Sequence, residues 1–320
     1  MNAGFGSTSS CFARNAKIAR RQRPIPRVSH HPTDRSADGV SRPGDSRIFT
    51  APGHTLVLST AQIEDFVRDG FVRVEQAFPR HLADEGRAIL WQHLPCVAGD
   101  PSTWTQPVVR LGHYDDEAFN KAVNSSVLHA AFDQLVGTGR WRPRRNLGTF
   151  PVRFPSPDDP GDTGWHIDVS FPGPTGSWDE TKDFSDWRAN VSSHGRALLM
   201  LFLFSDVGEF DAPTRIKVGS HFDIARLLQP AGEAGMSHAM LHPFATKLER
   251  PEALALGNAG DVYLCHPFLV HAAQMHRGLL PRFLAQPPLH PAGPLLLYRA
   301  DTDYSPVERA IRYALQEGQS

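Results

Sequence analysis

The chain has 320 residues, 40% of them hydrophobic and 21% charged, and Lys+Arg 33 against Asp+Glu 34 leaves a formal net charge of -1. Nothing in that bulk balance favours nucleic acid or an anionic membrane surface as a partner, and a small molecule is the expected one. Cys11, Cys96 and Cys265 lie far apart with no C-x-x-C spacing, which excludes a disulfide framework and a thiolate zinc site and fits a reducing, cytoplasmic compartment.

Residues 1–53 are rich in Ser, Pro, Gly and Arg, with eight arginines between Arg14 and Arg47 against three aspartates. Such a stretch has too little apolar surface to fold and is expected to be a disordered tail. Its acid-poor, Arg- and Ser-rich character also fits an organelle import signal, but no amphipathic stripe accompanies it.

From Leu58 the character changes. "LSTAQIEDFVRDGFVRVEQAFPRHLADEGRAILWQHL" predicts a helix capped by Ser59 or Thr60 and stopped at Gly70, a short strand, and a second helix from near Pro79. A further helical stretch is expected over Glu117–Val136, so the part from 58 to 140 is mainly helical. Residues 145–290 instead carry short β-rich runs broken by Pro and Gly: "LGTFPVRF", "GWHIDVSF", "ALLMLFLFSDV", "TRIKVGS", "DVYLCHPFLVHAAQ" and "RFLAQPPL". The longest apolar run, "ALLMLFLF", has the length of a buried strand and not of a membrane span. Many short strands without intervening crossover helices predict a mainly β core with flanking helices, of the sandwich or jelly-roll kind. The segment 172–190 and the irregular excursion 229–260 are expected as long loops, the first placed to act as a lid. Ser305, Pro306 and Glu308 form a helix-start signature that predicts a C-terminal helix over 305–316. Residues 54–320 are thus expected to be one domain.

The chemistry is concentrated in two stretches. In "TGWHIDVSFPG" (163–173), strand alternation puts His166, Asp168 and Ser170 on one face and Trp165, Ile167, Val169 and Phe171 on the other. Alone, H-x-D fits a hydrogen-bonded His–Asp pair on a sheet better than a metal site, all the more in a chain with sixteen histidines. In "GDVYLCHPFLVHAAQMHRGLLPRFLAQ" (260–286), however, a strand ends in His271, and Arg282 follows at the start of another apolar run. Two histidines and a carboxylate form the facial triad of non-haem Fe(II) oxygenases, which leaves three positions for a bidentate 2-oxo acid and dioxygen. A guanidinium can grip the far carboxylate of 2-oxoglutarate through two parallel hydrogen bonds. Of the competing histidines, His266 falls on the opposite strand face and is expected to pack, His221 to bond backbone at a turn, and His276 to be a solvated loop residue. Trp165 is expected in the core.

The strings "TGWHIDVSF", "DVGEFDAPTRIKVGSH" and "GDVYLCHPFLVHAAQMHRGLLPRF" together resemble the phytanoyl-CoA dioxygenase family of Fe(II)/2-oxoglutarate oxygenases, in order and spacing from about Leu58 to about Pro288. The resemblance implies a double-stranded β-helix (jelly-roll, cupin-like) core, with Fe(II) held by His166, Asp168 and His271 as the catalytic centre. It implies 2-oxoglutarate as co-substrate on Arg282, with Arg110 beside it, and O2 as oxidant; Thr149, on the preceding strand, offers a hydroxyl to the same co-substrate. Two departures stand out: Val218 replaces a common proline, and "HAAQMHRG" replaces the small-residue stretch to an asparagine that usually follows the distal histidine. The expected activity is hydroxylation of a small organic substrate with release of succinate and CO2. Two other readings stay open: the same ligands holding another divalent ion in a hydrolase or isomerase, and a non-catalytic barrel that binds a small ligand.

Overall fold

Six consecutive apolar side chains, Leu198–Leu203, form the central strand of the protein, and all six are buried. The computed structural model describes residues 57–178 and 185–317, so the tail expected at 1–53 lies outside the described residues. In chain order the elements are α1 (Thr60–Asp69), β1 (Phe71–Val74), α2 (Arg80–Trp91), β2 (Val108–Gly112), α3 (Glu117–Val123), α4 (Ser126–Val136) and β3 (Thr149–Arg153). There follow β4 (Phe171–Pro172), β5 (Trp187–Ala189), β6 (Leu198–Leu203), β7 (Arg215–Lys217), α5 (Ser220–Leu228), β8 (Met236–Ser237), α6 (His238–Lys247) and β9 (Glu252–Leu254). The last are β10 (Val262–Cys265), β11 (His271–Ala272), β12 (Leu284–Ala285), β13 (Pro288–Leu289) and α7 (Pro306–Glu317).

The main sheet runs β1-β10-β6-β12, with β13 also on β6, and every pairing is antiparallel. Strand alternation explains why β6 has no polar face. Leu198, Met200 and Phe202 belong to the larger core with Phe78 of the β1–α2 turn and with Phe66 and Leu228 of the helical layer, whereas Leu199, Leu201 and Leu203 pack with Ile216 of β7 and Leu269. The sheet is therefore covered by helices on one side and by the small β11-β7-β9 sheet on the other. Two further antiparallel sheets, β2-β3 and β4-β5-β8, complete a sheet-centred fold with helices at its flanks.

Several local predictions are altered. The helix expected over Glu117–Val136 is two helices, because Asn124 ends α3 and the Ser125 hydroxyl accepts from Leu128 N at 3.2 Å to start α4. The excursion 229–260 contains α6, which tolerates Pro243 in its interior, and the strand β9. Residues 163–170 do not form a regular strand: their one β-bridge joins His166 to His271, before the short β4. The expected lid, 172–190, supplies β5 at its end, and its part at 179–184 lies outside the described residues. The C-terminal helix has the reciprocal cap of its sequence: Ser305 N donates to Glu308 Oε2 at 3.0 Å, and Glu308 N donates to Ser305 Oγ at 3.4 Å. No helix among the described residues is long and apolar enough to cross a membrane.

Candidate metal centre

His166 and His271 sit opposite each other as an antiparallel pair that exchanges both backbone hydrogen bonds, His166 N to His271 O at 3.0 Å and His271 N to His166 O at 2.9 Å. Side chains of such a pair leave the sheet on the same face, and here the two rings lie 4.4 Å apart between centroids. Each imidazole has its Nδ1 tied to a backbone carbonyl two residues earlier, Gly164 O at 2.9 Å for His166 and Leu269 O at 3.1 Å for His271. A neutral ring that donates from Nδ1 keeps its lone pair on Nε2. Both Nε2 atoms face the same carboxylate oxygen, Asp168 Oδ1, each at 3.9 Å.

One donor atom from each of His166, Asp168 and His271 falls within 4.8 Å of the others. Two imidazole nitrogens and one carboxylate oxygen converging from one side is a donor set for a divalent transition metal that leaves its other face open. The electrostatics suit a cation. Burial alone would raise the Asp168 pKa, but the Arg196 guanidinium and the two histidines outweigh it and hold the carboxyl at about 2. Burial, followed by the neighbouring His166, pushes His271 down to about 4, so its ring is neutral and able to ligate at neutral pH.

The triad opens onto a cavity of about 450 Å³. One part of its wall is an ion-paired cluster in which Arg153 Nη2 reaches both oxygens of Asp162 at 2.7 Å and Arg110 pairs with the same carboxylate. Thr149 and Pro151 of β3 lie in this wall too. Another part combines Ser170, Trp178, Trp187, Gly195 and Arg196, with the Trp178 and Trp187 rings 5.9 Å apart in an edge-on contact.

The predicted residues are thus placed as follows. His166, Asp168 and His271 come together, and Arg110 and Thr149 share their cavity. Arg282 does not line the cavity: it is 2% exposed and sits beside Arg153 of β3, where Nη1 donates to Ala212 O and Nη2 donates to Pro151 O at 3.4 Å. It is the bridge partner of Arg153, and burial, then the Arg153 charge, lowers its pKa. His266 is fully buried, with Nδ1 accepting from Phe268 N at 3.2 Å, and His221 bonds Val67 O through Nε2 at 3.0 Å. His276 is not a solvated loop residue: it is buried, Nδ1 accepts from Gly278 N at 3.1 Å, and burial pushes its pKa down to about 4. Trp165 is only half-buried and carries Arg215 and Lys217 against its ring, at 4.5 and 4.6 Å from the centroid.

Sequence reasoning missed Arg153, Arg196 and the tryptophan pair. Arg153 stands in an apolar β-run where alternation would have flagged an inward-facing charge. Arg196 follows a loop, "NVSSHG", that carries no pattern of its own.

No family model matches the chain, and no curated protein matches it either. Among solved structures, it is similar to HygX from Streptomyces hygroscopicus with nickel, 2-oxoglutarate and hygromycin B bound, at 16% identity over 73% of this chain and 88% of that one, with a TM-score of 0.45. It is similar to the epimerase SnoN from nogalamycin biosynthesis in complex with Fe3+, alpha ketoglutarate and nogalamycin RO, at 18% identity over 71% and 80% of the chains and a TM-score of 0.46. A third is the non-heme alpha ketoglutarate dependent carbocyclase SnoK from nogalamycin biosynthesis, at 14% identity over 75% and 87% and a TM-score of 0.45.

Proposed function

We propose that the protein is an Fe(II)- and 2-oxoglutarate-dependent dioxygenase of the phytanoyl-CoA dioxygenase-like kind, with a jelly-roll core, that oxidises a small organic substrate. The observation that carries this reading is the convergence of two Nε2 lone pairs and one carboxylate oxygen at the head of a cavity roomy enough for a co-substrate and a small molecule. His166, Asp168 and His271 would hold the metal. Bound iron with 2-oxoglutarate and O2 supplies the oxidising chemistry, with succinate and CO2 as co-products.

The chain's own part is placement and exclusion of water. The carbonyls of Gly164 and Leu269 fix the imidazole tautomers, and Arg153, Arg110 and Thr149 line the part of the cavity nearest the buried Arg282. In this reading the Arg282 charge, held beside Arg153 and against Pro151 O, supports a dicarboxylate in that part, with Arg153 presenting a guanidinium on the wall itself. Trp178 and Trp187 give another part of the cavity an apolar surface for the substrate. The test is succinate formation from 2-oxoglutarate with added Fe(II), aerobically and anaerobically. Oxygen-dependent succinate is expected; absence of turnover together with absence of metal binding would overturn the proposal.

A further inference from the structure

The Asp168 carboxylate has two oxygens with different neighbours. Oδ1 faces both histidine Nε2 atoms at 3.9 Å, while Oδ2 lies 3.1 Å from Arg196 Nη1, an ion pair without hydrogen-bond alignment. We propose that Arg196 is a positioning residue that reserves Oδ2 for itself and so presents Asp168 to a metal through one oxygen alone. This rests on the reading of His166, Asp168 and His271 as a metal centre.

Three further observations support the assignment. Arg196 is 9% exposed, and among the described residues it is the arginine whose charge acts most strongly on Asp168. Its Nη2 approaches Val169 O at 3.5 Å, which ties the guanidinium to the backbone next to the carboxylate. The loop that delivers it is built with unusual backbone: Ser193 has φ 46 and Gly195 has φ 97, and Ser193 Oγ donates to Arg196 O at 2.5 Å. A Cβ on Gly195 would sit 2.1 Å from Ser170 O, so the loop is pressed directly against the ligand-bearing segment. Left-handed conformations of this kind persist where the surroundings over-determine them, often beside a functional site.

The chemical consequence concerns coordination number. A carboxylate with both oxygens free can chelate and take two positions on an ion; one whose second oxygen is held by a guanidinium takes one. Arg196 therefore keeps one more position open for exchangeable ligands.

The test is titration of the metal-free protein with Co(II), followed by visible absorption, and with Mn(II), followed by water proton relaxation, for the wild type, Arg196→Ala, Arg196→Gln and Arg196→Lys. Loss of Arg196 frees the second oxygen to take a position on the ion, so it is expected to change the Co(II) spectrum and to reduce the number of exchangeable waters on Mn(II). Lys, which restores a charge, should recover part of the loss, and Gln should not. A wild-type spectrum and water number in Arg196→Ala would overturn the proposal, as would a variant that only melts earlier. If Arg196→Ala does not fold, the contrast between Gln and Lys decides in the same way. A wild type that binds neither ion would instead remove the metal-centre reading itself.

Discussion

His166 and His271, far apart in sequence, are joined backbone to backbone by a reciprocal pair of hydrogen bonds, and this pairing is what aims two imidazoles at one carboxylate. The two side chains are set by the same sheet contact, so the centre does not depend on separate loops finding each other. The separation of the two imidazole donors is set by this backbone pair together with the Nδ1 bonds to Gly164 O and Leu269 O.

That geometry separates the two histidines of "CHPFLVH". His271→Ala should reduce Co(II) or Fe(II) affinity by at least about 100-fold, because it removes a donor to the metal. His266→Ala should leave the affinity largely intact but lower the melting temperature, since it opens a hole in a fully buried site. Calorimetric metal titration with parallel thermal melts checks both, and the reverse pattern would mean that His266 is the ligand.

The buried arginine pair predicts a second contrast. Arg153→Ala should weaken 2-oxoglutarate binding at least about tenfold, a loss of roughly 1.4 kcal/mol or more, because it removes the wall guanidinium and leaves Asp162 with Arg110 as its one remaining arginine partner. Arg282→Lys should weaken it as well, since a lysine cannot serve the Ala212 and Pro151 carbonyls and still keep its charge oriented. Binding of 2-oxoglutarate to the Mn(II)-loaded protein reads both. Unchanged affinity in the two variants would separate these arginines from the co-substrate.

Acid should destabilise the protein in a defined window. Burial pushes His221 and His276 down to about 4 from an ordinary value of 6.5. Both are neutral in the folded state at pH values where the unfolded chain takes up protons. Stability is therefore complete above about pH 6.5 and falls progressively towards about pH 4. Thermal melts of the metal-free protein across that range should show a falling midpoint, and His221→Gln should flatten the slope.

Glu308 offers a stability test far from the centre. Its side chain is fully buried at the start of α7 and accepts from Arg140 Nη1 at 2.9 Å, Leu296 N at 2.6 Å and Ser305 N at 3.0 Å. Burial would raise its pKa, yet the Arg140 bond and the backbone donors keep it lowered. Arg140→Ala leaves that charge without its partner and should cost about 3–5 kcal/mol in urea unfolding. A loss under about 1 kcal/mol would mean the carboxylate is neutralised some other way.

What the sequence made legible was the chemistry with local pattern. The H-x-D spacing, the apolar run before His271, the Ser59 and Ser305 caps and the all-apolar β6 each carry their own periodicity or capping signal. What was not legible depended on neighbours distant along the chain. The break at Asn124 is the exception, because the polar run Asn124-Ser125-Ser126 marks it locally. His276 looks like a loop residue until the Asp211 and Arg282 segments close over it, and Arg196 gains its meaning only from the carboxylate it meets across a left-handed loop.

The segment 163–170 has one further property. It is secured by the His166–His271 pair, by Arg215 Nη2 on Thr163 O at 2.9 Å and by Ser170 N on Arg188 O at 2.7 Å, with little ladder of its own. An ion shared by two of its residues and by β11 would act as a clasp on this stretch, since a ligand that binds only the closed form stabilises it. Demetallation should therefore be registered first as protease cleavage within residues 163–170, well before the β6 sheet loosens, so that the state of the metal is written into the protein's susceptibility to cutting.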